Sequence, residues 1–272
     1  METEKDLPPL HAQNPTGRFS ERAIDYAKFR PTYPLEAIAL TLENLSHADS
    51  TAALTAADIG AGTGISSRLL ADQGIKVWAI EPNAPMREVA VPHPLVDYRE
   101  GTAEQTGLAD GAVDLVLCCQ SFHWFNKTAA LTEFRRILQP GGRVALIWNE
   151  RNLEDELTHQ YSEVLRLAAD RQIFDWSDRK SPEALATSPY FTHYRSHAIT
   201  HRHSLTPEGF IGLALSSSYI PKQGAAHDQL ISDLQALCAS WVAQFGSDSL
   251  ALSYVTHLYL AEAVDAIDTE NF

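Results

Sequence analysis

The run "AADIGAGTG" at residues 56–64 places an acid and three glycines at the end of a short apolar stretch. Gly60, Gly62 and Gly64 carry no side chains, so the backbone there can lie directly against a ligand. Glu81 ends the next apolar run about 20 residues on, where an acid accepts ribose hydroxyls in nucleotide-binding folds. A nucleoside ligand is implied, although a ligand-free glycine turn and a solvated acid share the pattern. The spacing is G-x-G-x-G, with Ile65 where a pyrophosphate cradle usually has its last glycine, which disfavours a dinucleotide. Asp58 would bring negative charge to the place of a pyrophosphate, but suits an ammonium or sulfonium. S-adenosylmethionine satisfies that electrostatics.

A glycine loop can do this only at the carboxyl end of a strand, and the surrounding pattern supplies one. Residues 54–60 read as a strand, and Ile65, Leu69 and Leu70 share a helical face before Gly74 stops the helix. Residues 75–81 form a second strand, Asn83 caps a helix with Pro85 in its first turn, and 95–101 and 112–120 supply two more strands. Leu131, Phe134 and Ile137 or Leu138 line another helix, "PGG" stops it, and "RVALIWN" is the fifth strand. Strands that are apolar on both faces and joined through helices must be parallel and covered on both sides. The fold class expected is α/β, a doubly wound, mostly parallel sheet.

The second half keeps the pattern more loosely. Leu153, Leu157, Tyr161, Val164 and Ala168 suit a helix, and "FTHYRSHAITHRHS" at 191–204 alternates as a strand. A threonine-capped helix follows, then a stripe of Leu230, Leu234, Leu237, Cys238, Trp241 and Phe245, before a last strand at 250–264. The expected organisation is one domain over 1–272: a helical lid at 1–50, a cofactor-binding core at 51–204, a helical insertion at 205–248 capping the acceptor pocket, and a last strand and tail at 249–272.

Composition narrows the ligand further. A formal net charge of −14 repels polyphosphate at long range, and no basic patch offsets it, so nucleic acid is not expected as a partner. No apolar stretch approaches the length of a membrane span, and the polar start "METEKDLPPLHAQNP" is no leader, so a cytoplasmic protein without membrane association is expected. Cys118 and Cys119 lie inside an apolar run and read as reduced packing residues. His201 and His203 would point the same way from a strand, but no carboxylate or cysteine completes a set, and no metal is expected.

The ordered stretches "ADIGAGTG", "WAIEPNAPM", "EGTAEQTGLADGAVDLVLCCQSFHWF" and "EFRRILQPGGRVALIWN", preceded by "YAKFRPTYP", resemble the class I S-adenosylmethionine-dependent methyltransferases. Within them the chain is similar to the small-molecule branch with trans-aconitate methyltransferase-like enzymes, and the likeness is good over roughly residues 19–149. It implies a Rossmann-like seven-stranded sheet and S-adenosyl-L-methionine as cofactor. Carried over position by position, it implies that Asp58, Gly60, Ala61 and Gly62 line the methionine part, Glu81 accepts both ribose hydroxyls, and Pro82, Asn83 and Met86 flank ribose and adenine. Ala103 and Glu104 would read the adenine amino edge, and Gln120 would contact the methionine head group; Glu104 also suits a helix N-terminus. Tyr26 and Arg30 share a helical face in a segment suited to cover the cofactor, with Arg30 placed to clamp its carboxylate. Two positions depart from the family pattern: Asn126 stands where an aspartate often follows the aromatic pair, and Gly107 where proline is commoner.

Methyl transfer from a sulfonium is a direct displacement by an already activated donor, so in-line alignment and exclusion of water matter most. His123, in "QSFHWF", would remove the proton of a hydroxyl or amine acceptor, or orient a carboxylate acceptor, or simply pack beside Phe122, Trp124 and Phe125. The function expected is a methyltransferase acting on a small molecule, carboxylate or hydroxyl oxygen being favoured. An NAD(P)-dependent oxidoreductase and a non-catalytic S-adenosylmethionine-binding regulator are the alternatives, and monomer and homodimer both stay open.

Overall fold

The computed structural model describes residues 23–45, 53–169, 182–246 and 249–264. The first 22 positions of the expected lid and the tail beyond residue 264 lie outside the described residues. The chain opens with helices α1 (Ala23–Phe29) and α2 (Leu35–Leu42), then alternates β1 (Thr55–Ile59), α3 (Ile65–Ala71), β2 (Lys76–Ile80), α4 (Ala84–Glu88) and β3 (Val96–Arg99). Next come β4 (Val113–Cys119), a single 3-10 turn (Phe122–Trp124), α5 (Lys127–Ile137), β5 (Leu138–Arg151) and α6 (Glu156–Ala168). The remainder is α7 (Glu183–Ala186), β6 (Phe191–Leu205), α8 (Pro207–Leu215), α9 (Ala225–Phe245) and β7 (Leu250–Ala263).

The strands form one seven-stranded sheet in the order β3-β2-β1-β4-β5-β7-β6. β1 to β5 pair in parallel, while β7 runs antiparallel to both β5 and β6. β4 is buried at every position, as a central strand covered by helices on both faces must be. Its Cys118 and Cys119 are buried free thiols. On one face Phe122, Phe134, Ile137 and Trp148 fill the core, and on the other Ile38, Leu70, Leu117 and Ile147 do so. The chain order reverses between β1 and β4, so the loops leaving those two strands open on a common crevice.

A third apolar cluster is built from the second half of the chain. Leu157, Tyr161 and Leu165 of α6 pack with Phe210 of α8 and with Leu230 and Leu234 of α9, over Leu250 and Leu252 of β7. α1 belongs to this assembly through Gly212 of α8, where a Cβ would overlap the Phe29 ring. Among the described residues no helix is long and apolar enough to cross a membrane.

Local signals place most boundaries. Asn83 accepts from Met86 N at 3.2 Å, and Thr206 accepts from Gly209 N at 3.1 Å, as helix caps do. Three details differ from the sequence reading. Leu153 is 55% exposed and precedes α6, because Asp155 caps that helix by accepting from Thr158 N at 3.2 Å. The "PGG" turn lies inside β5: pairing with β4 begins at Val113 with Leu138, then resumes at Leu115 with Arg143, leaving a bulge between. Phe245, the last residue of the expected α9 stripe, is 53% exposed at the end of the helix, its ring 4.4 Å from that of Trp241.

Candidate active site

The glycine loop is held from several sides. Gly60, Gly62 and Gly64 all have positive φ, at 68°, 57° and 74°, a conformation disfavoured for residues with a Cβ. Their neighbours differ. A Cβ on Gly60 would stand 2.7 Å from Ser121 Cβ, and one on Gly64 would overlap the Tyr98 hydroxyl, so protein packing requires both glycines. Gly62 alone faces lighter company, the ends of Met86 and Tyr26 at 3.3 and 3.9 Å. A Gly60→Ala variant is expected to lose about 2–3 kcal/mol, from the left-handed backbone and the contact with Ser121. Thermal unfolding would report this as a drop of several degrees, and an unchanged midpoint would contradict it.

Two acids flank this loop. Asp58, at the end of β1, is fully buried, and its Oδ2 accepts from the Ser66 and Ser67 hydroxyls at 2.6 Å each. Its Oδ1 is buried without a hydrogen-bond partner. Burial pushes the Asp58 carboxyl up to about 6, against the two serine hydroxyls that pull it down. Glu81 follows β2. Its Oε2 accepts from Gly62 N and its Oε1 from Asn83 N, both at 2.9 Å, so the carboxylate bridges the two loops at the sheet's edge of ligand approach. Burial raises its pKa, while those two backbone N–H groups lower it. The Gly60 and Ala61 N–H groups are taken by Ile80 O, and Ala61 is itself buried.

Asp58, Gly60, Ala61, Gly62, Glu81, Asn83 and Met86, with Pro82 between Glu81 and Asn83, therefore lie together at the carboxyl ends of β1 and β2. Ala103 is buried against Ile59 and Ile80 beneath the crevice. Glu104 lies further along, its Oε1 accepting from Asn126 N at 2.8 Å, at the start of α5. That contact satisfies a helix N-terminus, the second of the two placements the sequence suggested.

Next to the crevice opens a cavity of about 410 Å³. Tyr26 and Arg30 of the α1 segment, Gln120 and His123 after β4, Arg151 at the end of β5, and Tyr219 between α8 and α9 are among its walls. Arg30 lies 4.9 Å over the Tyr26 ring, and its Nη2 donates to Ser216 O at 3.1 Å and Ser217 Oγ at 3.4 Å. Its Nε is buried without a partner. Gln120 has φ 54°, and its Nε2 donates to Asn149 O at 3.1 Å. His123 is buried, 5.0 Å from the Trp124 ring, and its Nδ1 accepts from Trp148 Nε1 at 3.3 Å. An imidazole that accepts at Nδ1 carries its proton on Nε2 in the neutral form, which makes it a donor there.

His201 and His203 do not join this site. His201 Nδ1 lies 3.1 Å from Thr256 Oγ1, His203 Nε2 lies 3.4 Å from Phe29 O, and burial lowers both pKa values. Several partners were not visible in the sequence reading: Ser66 and Ser67 on Asp58, Trp148 on His123, and Arg151 with Tyr219. The serine pair alone carried a signal, since it follows the glycine loop directly; the others meet only through the neighbouring of β4, β5 and the α8–α9 connection.

The residues present fit a nucleoside bearing a cationic amino-acid head: a bare Gly62, an ionisable acid at Glu81, and an orphaned carboxylate oxygen on Asp58. Comparison with known proteins agrees. Residues 57–146 match the family described as "Methyltransferase domain". An uncharacterised methyltransferase of Mycobacterium tuberculosis is 34% identical over 235 residues, spanning 85% of this chain and 89% of that protein. An uncharacterised methyltransferase of Schizosaccharomyces pombe is 37% identical over 136 residues, 49% of this chain and 53% of that one. The fold is shared with a solved structure from Anaeromyxobacter dehalogenans assigned as a type II methyltransferase, at a TM-score of 0.64 and 22% identity over 88% of this chain and all of that one. With a relative 34% identical over 89% of its own length, the chain belongs to the methyltransferases, enzymes that use S-adenosylmethionine as cofactor.

Proposed function

We propose that this enzyme methylates an oxygen of a small-molecule acceptor, a carboxylate or a hydroxyl, held in the cavity beside the glycine loop. The observation that carries the reading is the cavity itself, about 410 Å³ and walled by Tyr26, Arg30, Gln120 and His123, directly beyond the cofactor crevice. That volume suits a metabolite. A cytoplasmic setting suits such an enzyme.

In this reading Asp58 Oδ1 holds the methionine ammonium, Glu81 accepts the ribose hydroxyls, and Pro82, Asn83 and Met86 flank ribose and adenine. Ala103 and Glu104 border the adenine, Gln120 meets the methionine head, and Tyr26 with Arg30 covers the crevice and clamps the carboxylate. The helices between β6 and β7 close the acceptor side. S-adenosylmethionine supplies a methyl group on a sulfonium that needs no further activation, so displacement in line suffices. His123 then acts as a donor through Nε2, orienting the acceptor oxygen, because Trp148 occupies Nδ1.

The test is incubation with S-adenosylmethionine and matched panels of hydroxyl, carboxylate and amine acceptors, read by mass spectrometry of the products. Methylation confined to oxygen acceptors supports the reading, and methylation confined to amines would end it. His123→Ala is expected to lower kcat/KM about 10- to 100-fold as a lost orienting donor. The wild type and His123→Asn would then share the same pH–rate profile; an ascending limb that disappears in the variant would make His123 a base instead.

A further inference from the structure

Two donors converge on one phenol of the acceptor cavity. Tyr219, between α8 and α9, lines that cavity, and its hydroxyl oxygen accepts from Arg151 Nη2 at 3.1 Å. The Ser217 hydroxyl is its second hydrogen-bond partner. Ser217 Oγ accepts from Arg30 Nη2 at 3.4 Å, so its own proton is directed away from that guanidinium and onto the Tyr219 oxygen. An oxygen that accepts from a cation and from a polarised hydroxyl is prepared to carry negative charge, and the only thing it has left to give is its proton.

The other phenols on this cavity are arranged differently. Tyr161 donates its proton to Phe210 O at 3.3 Å and turns its ring to Arg151, whose guanidinium carbon lies 5.7 Å from the ring centre. Burial raises Tyr26, pushes Tyr161 well above the ordinary phenol range and takes Tyr254 up to about 12. Burial acts the same way on Tyr219, but Arg151, the Ser217 hydroxyl and Arg30 outweigh it and bring this phenol below its ordinary range. The remaining ionisable groups along the cavity have partners of their own. Glu150 Oε1 lies 3.6 Å from His257 Nε2, Glu163 Oε2 lies 2.7 Å from Arg166 Nη2, and His123 Nδ1 accepts from Trp148 Nε1.

We propose that Tyr219 is the base of the reaction, taking the proton of an acidic hydroxyl, a phenol or an enol, as that oxygen attacks the methyl group. The assignment rests on the oxygen-acceptor reading above. In the step the acceptor proton passes to the Tyr219 phenolate, the O–CH₃ bond forms, and the S–CH₃ bond breaks with its electron pair going to sulfur. A sulfonium and a phenolate become a thioether and a neutral tyrosine, so the charge that Arg151 and Arg30 hold in place beforehand is consumed. Proton transfer works best between groups of similar pKa, which favours a phenol or enol over an aliphatic alcohol. The rings of Tyr26, Trp124, Tyr161 and Tyr254 along the same wall suit a planar acceptor. With the proton going to Tyr219, His123 is left to donate to the acceptor oxygen.

The experiment is tyrosinate titration of the full chain by ultraviolet difference absorbance, paired with turnover of phenol, catechol and pentafluorophenol, the last already ionised at neutral pH. In the wild type one tyrosine is expected to ionise below the ordinary range. Tyr219→Phe should remove that step, Arg151→Gln should move it upward, and Arg151→Lys should move it less. At neutral pH Tyr219→Phe should lower kcat/KM about 100-fold for phenol and catechol, but less than about threefold for pentafluorophenol, which needs no base. A wild type without the early step, a step that survives Tyr219→Phe, equal losses on ionised and un-ionised acceptors, or no methylation of any of these acceptors would each overturn the assignment. Failure of the oxygen-acceptor reading is separate, since it would appear as wild-type methylation confined to amines.

Discussion

Glu81→Ala should raise the Kd for S-adenosylhomocysteine by at least about 100-fold, the equivalent of two lost charge-assisted hydrogen bonds to the ribose. The geometry makes the loss larger than for a surface acid. Both Glu81 oxygens already accept from the backbone, Oε2 from Gly62 N and Oε1 from Asn83 N, so removing the carboxylate also releases the two loops it joins. Glu81→Gln is expected to be almost as damaging, because its amide NH₂ must face one of those two backbone donors. Calorimetric titration checks both variants, with circular dichroism to confirm the fold. Retention of wild-type affinity in Glu81→Ala would remove Glu81 from the ribose site.

S-adenosylhomocysteine binding should weaken about tenfold for each pH unit below about 6, and Asp58→Asn should flatten that dependence. The sign follows from the burial of Asp58, which pushes its carboxyl up to about 6 in the free protein. In the proposed pose the ligand's ammonium pairs with the ionised carboxylate, so below that pH binding must first remove a proton, and affinity falls. The same raised pKa means that the free fold binds more protons than the unfolded chain between the ordinary carboxylate pKa and about 6. Asp58 therefore costs stability as pH rises through that window, and the cofactor ammonium in the proposed pose would offset the cost. Asp58→Asn should also weaken binding at pH 8 by roughly 100-fold, since it breaks a buried charge pair. Titrations between pH 5 and pH 8 on both proteins decide it, and identical slopes would place the titration elsewhere.

The parallel half of the sheet was readable because its physics is local. The seven residues "VDLVLCC" of β4 are apolar enough to be covered on both faces, and Asn83 and Thr206 mark helix starts with their own side chains. The acid pair was readable too, since Asp58 and Glu81 sit at fixed distances from one glycine loop. The reason for the glycines was only partly readable. Gly60 and Gly64 look like bare backbone for a ligand, yet their closest neighbours are Ser121, in the turn after β4, and Tyr98 of β3, which reach the loop only in the folded sheet. The acceptor side was the least legible. Arg151 and Tyr219 stand 68 residues apart, and Trp148 reaches His123 across 25, contacts that no helix or strand period announces. The α8–α9 connection carries Tyr219 to Arg151, its flanking helices held by packing of Phe210, Leu230 and Leu234, while Trp148 meets His123 because β5 pairs with β4.

The most direct test of the account is thermal unfolding of the purified protein with S-adenosylhomocysteine and, separately, with NAD. At about 100 times its Kd a ligand adds about 2.7 kcal/mol to the folded state. Stabilisation of that size by S-adenosylhomocysteine alone is the result expected from the Asp58–Gly62–Glu81 crevice. No stabilisation by S-adenosylhomocysteine, or stabilisation by NAD in its place, would contradict it.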